Sequence, residues 1–185
     1  MNLQDKFNKL EKLLLDSRDT LAQGAGVPFI RLIYKPNLEE ECTYRRKTLF
    51  QVLKDRGIPV RTVSVKGVIF SYYEKENRLE DLFQLENEDG ISDRLNRHLH
   101  KRSKEELVKR LKEAIEKLDS DGVIFLTDVA FAYPFLSISP VLEELTNQIK
   151  PPKALVIFYP GEIKNERFFF LGERESGYYR SRDIV

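Results

Sequence analysis

One stretch limits what this chain can fold into more than any other: Lys153-Ala-Leu-Val-Ile-Phe-Tyr159-Pro160-Gly161-Glu162. The apolar run from Ala154 to Tyr159 is too short for a buried helix. Its β-branched and aromatic content predicts a strand covered on both faces. Proline offers the ladder no N–H and glycine permits a sharp turn, so the strand is expected to stop at Pro160-Gly161. A buried, parallel-type strand that ends in a turn with a carboxylate is how an open α/β sheet presents its functional edge.

The upstream pattern supplies the rest of such a sheet. Leu3, Phe7, Leu10, Leu13 and Leu14 fall on one helical face, with Asn2 placed to cap it. This predicts a helix to about Leu15 that packs on the sheet. Gly24-Ala-Gly26 breaks the pattern. Val27 to Tyr34 reads as the first strand, with Pro28 marking its start or an edge position. Glu39 to Arg56 reads as a helix that buries Cys42, Leu49, Val52 and Leu53, with Gly57 just past its end. Val60 to Val65 alternates as a second strand. Strand, helix and strand within so few residues predict a right-handed crossover and a parallel pair.

Val68, Ile69, Tyr72 and Tyr73 then suggest one helix, and Leu79, Leu82, Phe83 and Leu85 another. Ser103-Lys-Glu-Glu106 has the form of a capping box, which predicts that the next helix starts there. Its stripe is Leu107, Leu111, Ala114, Ile115 and Leu118. Val123 to Thr127 is a buried strand that ends at Asp128. Val129 to Leu136 forms an aromatic loop containing Tyr133, Pro134 and Phe135, read as core packing or as an exposed binding surface. Ser139-Pro140 opens a helix through Leu142, Leu145 and Ile149 that halts at Pro151-Pro152. Arg167 to Leu171 is a further strand in a hairpin. The expected fold is α/β: residues 1–185 as a single domain, with a mostly parallel central sheet flanked by helices and a C-terminal hairpin-like strand.

Composition narrows the function classes. With 185 residues, 41% of them hydrophobic and 33% charged, the chain can build one substantial core. The 31 basic and 30 acidic residues leave a net charge of +1, so no global field draws it to nucleic acid or an anionic membrane. Cys42 is the lone cysteine, read as a small core residue with no nearby His to activate it. No apolar run reaches the roughly 18 residues of a membrane span. The N-terminus lacks the charged-then-apolar order of a signal peptide. A cytoplasmic protein is expected.

Candidate chemistry is sparse. Residues 74–89 carry seven acids against two bases. The following run, Arg94, Arg97, Lys101, Arg102 and Lys104, holds no acid and both histidines. It is the best internal case for nucleic-acid contact, although it has no aromatic residue to stack on a base. A solvated helical face accounts for it as well. His98 and His100 would share a face on a strand and diverge on a helix, and no further metal ligand is identifiable. Asp128 at the end of an apolar strand resembles a Mg²⁺-holding carboxylate. That role needs a phosphate loop, and neither G-x-x-x-x-G-K-[ST] nor G-x-G-x-x-G occurs. Asp128 is therefore expected to cap the next segment or bond local backbone. Without a nucleophile–base pair, metal cluster or phosphate loop, no catalytic centre, cofactor or metal is expected.

The order Val-Ile-Phe-Tyr159-Pro160-Gly161-Glu162, an apolar-aromatic strand, a short polar loop and Tyr178-Tyr179-Arg180 resembles the BrxB family of BREX (bacteriophage exclusion) defence systems. The N-terminal amphipathic helix, the Val-Pro-Phe strand, the strand ending in Leu-Thr and Tyr133-Pro134-Phe135-Leu136 follow in the same order. The likeness spans most of the chain and is weak across residues 66–104. One departure is Ser137-Ile138-Ser139, where the family commonly carries a basic residue after Pro-Phe-Leu. The resemblance implies a bacterial, cytoplasmic antiviral protein without assigned catalysis. It would act beside other BREX components, with a PglZ-type alkaline-phosphatase-like protein as direct partner. Residue roles are expectations too: Pro160-Gly161 shapes the strand exit, and Arg180 either pairs with a carboxylate such as Glu162 and pins the tail over the sheet edge, or is exposed on a frayed tail. The competing readings are a nucleic-acid-binding module using Arg94 to Lys104 and a degenerate nucleotide-binding α/β protein.

Overall fold

The computed structural model describes residues 1–15, 29–80, 83–84, 87, 93–118, 122–148, 154–165, 167–172, 174–175 and 181–185. Helix α1 (Leu3–Leu15) begins where Asn2 Oδ1 accepts the Asp5 N–H at 2.8 Å, so the asparagine is the cap. Its stripe meets the sheet, with Phe7 stacked on Phe158 at 6.0 Å. Strand β1 (Phe29–Tyr34) is buried throughout. A 3-10 turn at Pro36–Leu38 leads into α2 (Glu39–Asp55). Gly57 lies just beyond at φ +73°, a left-handed value that suits glycine. Cys42, Leu49 and Leu53 are buried and Val52 is half-buried, so the expected face holds.

Strand β2 (Val60–Ser64) runs straight into α3 (Val65–Lys75), where Ser64 Oγ accepts the Gly67 N–H at 2.9 Å. Next comes α4 (Asp93–Glu116), then β3 (Val123–Thr127), a 3-10 turn at Val129–Ala132 and α5 (Ser139–Gln148). The chain finishes with β4 (Ala154–Lys164), β5 (Arg167–Phe170), β6 (Arg174–Glu175) and β7 (Arg182–Ile184).

The sheet order is β2-β3-β4-β1-β7, with every neighbouring pair parallel. β5 joins β4 antiparallel and β6 joins β5. Side chains alternate between two cores. One lies under α1 and α2, with Ile30, Leu32, Phe125, Val156, Phe158 and Ile184. The other lies under α3, α4 and α5, with Ile33, Val63, Ile124, Leu126, Ile157 and Tyr159. This is the expected α/β architecture, helices on both faces of a mostly parallel sheet.

Three expectations need correction. β1 and β2 are parallel but not paired, since β4 and β3 lie between them. Helix α4 starts at Asp93, so Ser103 is an interior residue and not a cap. Strand β4 does not stop at Pro160-Gly161 but continues to Lys164 by exchanging partners. Its parallel neighbours end at Ile157 on the β3 side and at Pro160 on the β1 side, and Gly161 to Lys164 then pair with β5. The ladder alternation turns the Pro160 backbone toward the β3 side, where β3 has already ended. The missing N–H therefore costs no bond to β3, and the Pro160 carbonyl accepts the Leu171 N–H at 3.1 Å. The helix read from Leu79 to Leu85 lies partly outside the described residues. Gly24 to Gly26, Pro28, Ile149 and Pro151-Pro152 lie wholly outside them.

Candidate functional site

The corner where β4 leaves the parallel sheet is built by crowding. A Cβ on Gly161 would stand 2.5 Å from the Phe169 carbonyl oxygen and 2.8 Å from the Phe168 ring. Glycine is required there because the hairpin backbone closes on it. That closure folds β5 back over Tyr159, whose ring meets Phe168 at 4.9 Å and Phe170 at 5.0 Å, both edge-on. Tyr133, from the loop after β3, reaches the same Phe170 at 6.0 Å. The structure thus joins two candidates that are 26 positions apart, Tyr133 and Tyr159. The Tyr133–Pro134 peptide is cis. Val129, Ala132 and Leu136 are buried and Phe131 and Phe135 half-buried, so most of the loop is core. Tyr133, at 36% exposed, and Ile163, at 42%, are the large apolar side chains that turn outward here.

Under the hairpin lies a charge that sequence reasoning missed. Arg31 is 7% exposed in the middle of β1. Its Nε and Nη2 donate to the two Asp183 oxygens at 2.8 and 2.6 Å. Its guanidinium faces the Phe168 ring at 5.3 Å and the Tyr159 ring at 6.0 Å. Ser181 Oγ also donates to Asp183 at 2.8 Å. The available signal was a lone arginine inside an otherwise apolar strand, Phe29-Ile-Arg31-Leu-Ile-Tyr34. A tail pin exists, then, and Arg31 with Asp183 forms it. Tyr178, Tyr179 and Arg180 lie outside the described residues, and with them the expected pairing of Arg180 with Glu162. Glu162 itself meets Lys164 at 2.5 Å.

The basic run lies on α4. Arg97, Lys101 and Arg102 are exposed, while Lys104 is half-buried. Arg102 pairs with Glu105 at 3.1 Å and Lys104 with Glu144 at 3.0 Å, so part of the positive charge is neutralised locally. The side chains of Arg94 and His98 are outside the described residues. His100 Nδ1 lies 2.8 Å from the Phe135 carbonyl. A carbonyl only accepts, so Nδ1 carries the proton. This contact ties the basic helix to the aromatic loop.

Asp128 has the left-handed φ of +56° and makes no side-chain cap. Its carboxylate accepts the Thr127 hydroxyl at 3.0 Å, so its partner is a side chain and not the backbone expected from sequence. At the C-terminal end of β1, a cavity of about 550 Å³ is lined by Lys6, Tyr34, Lys35, Glu41 and Arg45. Tyr34 donates to Glu39, and burial raises the tyrosine pKa. Cys42 is fully buried, and burial followed by the Glu39 charge pushes its thiol up to about 12. This matches a core cysteine.

Among the described residues, no helix is long and apolar enough to cross a membrane. Comparisons with curated proteins and with solved structures find no match. A family model described as BREX protein BrxB matches residues 61–184, more than half of the chain.

Proposed function

The chain belongs to the BrxB family and is a component of BREX phage defence; we propose that its part there is that of a non-catalytic cytoplasmic adaptor that docks a PglZ-type partner. The observation that carries this reading is the corner. Tyr133 and Ile163 are presented outward on a frame of buried aromatic rings and a tight hairpin. Rigid apolar side chains lose little conformational entropy on binding, which favours them as anchors. Among the described residues, Arg31 pairs with Asp183 and Glu162 with Lys164 at the corner, which supports docking over catalysis.

Co-expression with a PglZ-type protein and size-exclusion chromatography test the reading. Co-elution is expected, and Tyr133→Ala with Ile163→Glu should weaken it at least about tenfold, with thermal unfolding used to establish that the variant is folded. Failure to associate with any BREX component would end the adaptor reading. Association unaffected by the double variant would move the docking face away from this corner.

A further inference from the structure

We infer that the free edge of β2 is a second docking surface, which takes an extended acidic segment of a partner protein as an added strand. Among the described residues, β2 pairs with β3 alone. The Val123 N–H bonds the Pro59 carbonyl at 2.8 Å, so residues 59, 61 and 63 turn their backbone toward β3. Val60, Thr62 and Ser64 turn theirs to the open side. The edge therefore offers the N–H of all three and the carbonyls of Val60 and Thr62, while Ser64 closes into α3. Arg61 and Thr62 are exposed. Such a row of unpaired groups is a template for another strand.

Charge selects the occupant. A groove of about 350 Å³ runs along this edge between β2, α3 and α4. Its charged lining is Arg61, Arg110 and Lys117 against Glu113. Arg110 is held by Glu106 at 3.3 Å and Glu113 at 3.2 Å. Arg61 and Lys117 make no ion pair among the described residues. Ser64 and Ser71 add hydroxyls to the lining. Two free cations beside unpaired backbone fit a strand with alternate carboxylates, whose side chains repeat on one face every second residue. A second copy of this chain would instead bring β2 of each against the other's cationic groove, which like charge opposes. This surface is separate from the corner, so an adaptor would hold two partners at once.

The probe is a short fluorescent peptide that alternates valine and glutamate, with a lysine-for-glutamate twin as control. Anisotropy should show binding of the acidic peptide that weakens with added salt, and the amide resonances of Val60, Thr62 and Ser64 should shift. Thr62→Pro removes an outward N–H and no bond to β3. It should weaken binding at least about tenfold, as should Arg61→Glu with Lys117→Glu. Thermal unfolding establishes that each variant is folded, and the charge reversal alone suffices if the proline variant is not. Equal binding of the lysine twin, shifts elsewhere, no binding, or a dimer that Thr62→Pro dissociates would each overturn the inference. Tyr133→Ala with Ile163→Glu should leave this binding intact, so failure here and failure at the corner are distinguishable.

Discussion

Arg31 occupies a position where its neighbours Ile30 and Leu32 would predict another aliphatic side chain. With 8% and 29% of their side chains exposed, Arg31 and Asp183 form a mostly buried pair. Desolvation offsets much of its attraction, so the intact pair adds little net stability. Breaking it is a different matter. Asp183→Ala leaves a guanidinium under the β5 rings without its carboxylate and should cost about 3 kcal/mol in urea unfolding. Arg31→Met with Asp183→Leu should recover most of that loss. A cost within about 0.5 kcal/mol for the single variant would show that water already reaches the arginine. Neither residue was legible as a partner of the other, because one charge has no period and 152 positions separate them. Gly161 was legible as special, but for the wrong reason. Sequence suggested a turn, and the actual constraint is the Phe169 carbonyl, which occupies the space a Cβ would need.

At the scale of elements, α4 shows how a local signal is overruled. Ser-x-x-Glu marks a helix start when nothing precedes it. Here Leu99, Ser103, Leu107 and Leu111 follow one another at four-residue steps along the face turned to α3. Ser103 is 1% exposed and faces Tyr73, so its small side chain serves packing between helices. A helix starting at Ser103 would leave the amides of Lys104 to Glu106 without intrahelical partners. In the observed helix they are interior. Hydrogen exchange should therefore find Ser103 to Glu106 as protected as Leu107 to Leu111, and fast exchange at Lys104 and Glu105 would restore the cap. The other helices followed their stripes, because burying an amphipathic face against a sheet needs only the helical period.

For the molecule as a whole, the short strand β7 closes the sheet. It pairs with β1 through residues 182–184, supplies Asp183 to Arg31 and buries Ile184 completely. Deleting residues 182–185 removes the pin, an apolar side chain and the cover of β1 together. The loss should exceed that of Asp183→Ala and lower the melting temperature by roughly 10 °C. An unchanged melting temperature would show that β7 is dispensable. Pairing of β1 with β4 and β7, and the distance of β1 from β2, could not be read locally. Adjacent strands in sequence usually neighbour one another in a sheet, and here α2 carries the chain past two strands added later.

The sequence by itself determined the class of fold, the helix faces, the buried central strands and the hairpin. Each of these follows from a period or a residue preference that acts over a few positions. It also carried the family likeness. Tertiary structure alone decided the order of the strands, the passage of β4 through Pro160-Gly161, the burial of Ser103 inside α4 and the meeting of Arg31 with Asp183. The physical reason is shared. These features depend on which backbone groups and charges lack partners after distant segments pack, and no local period records that.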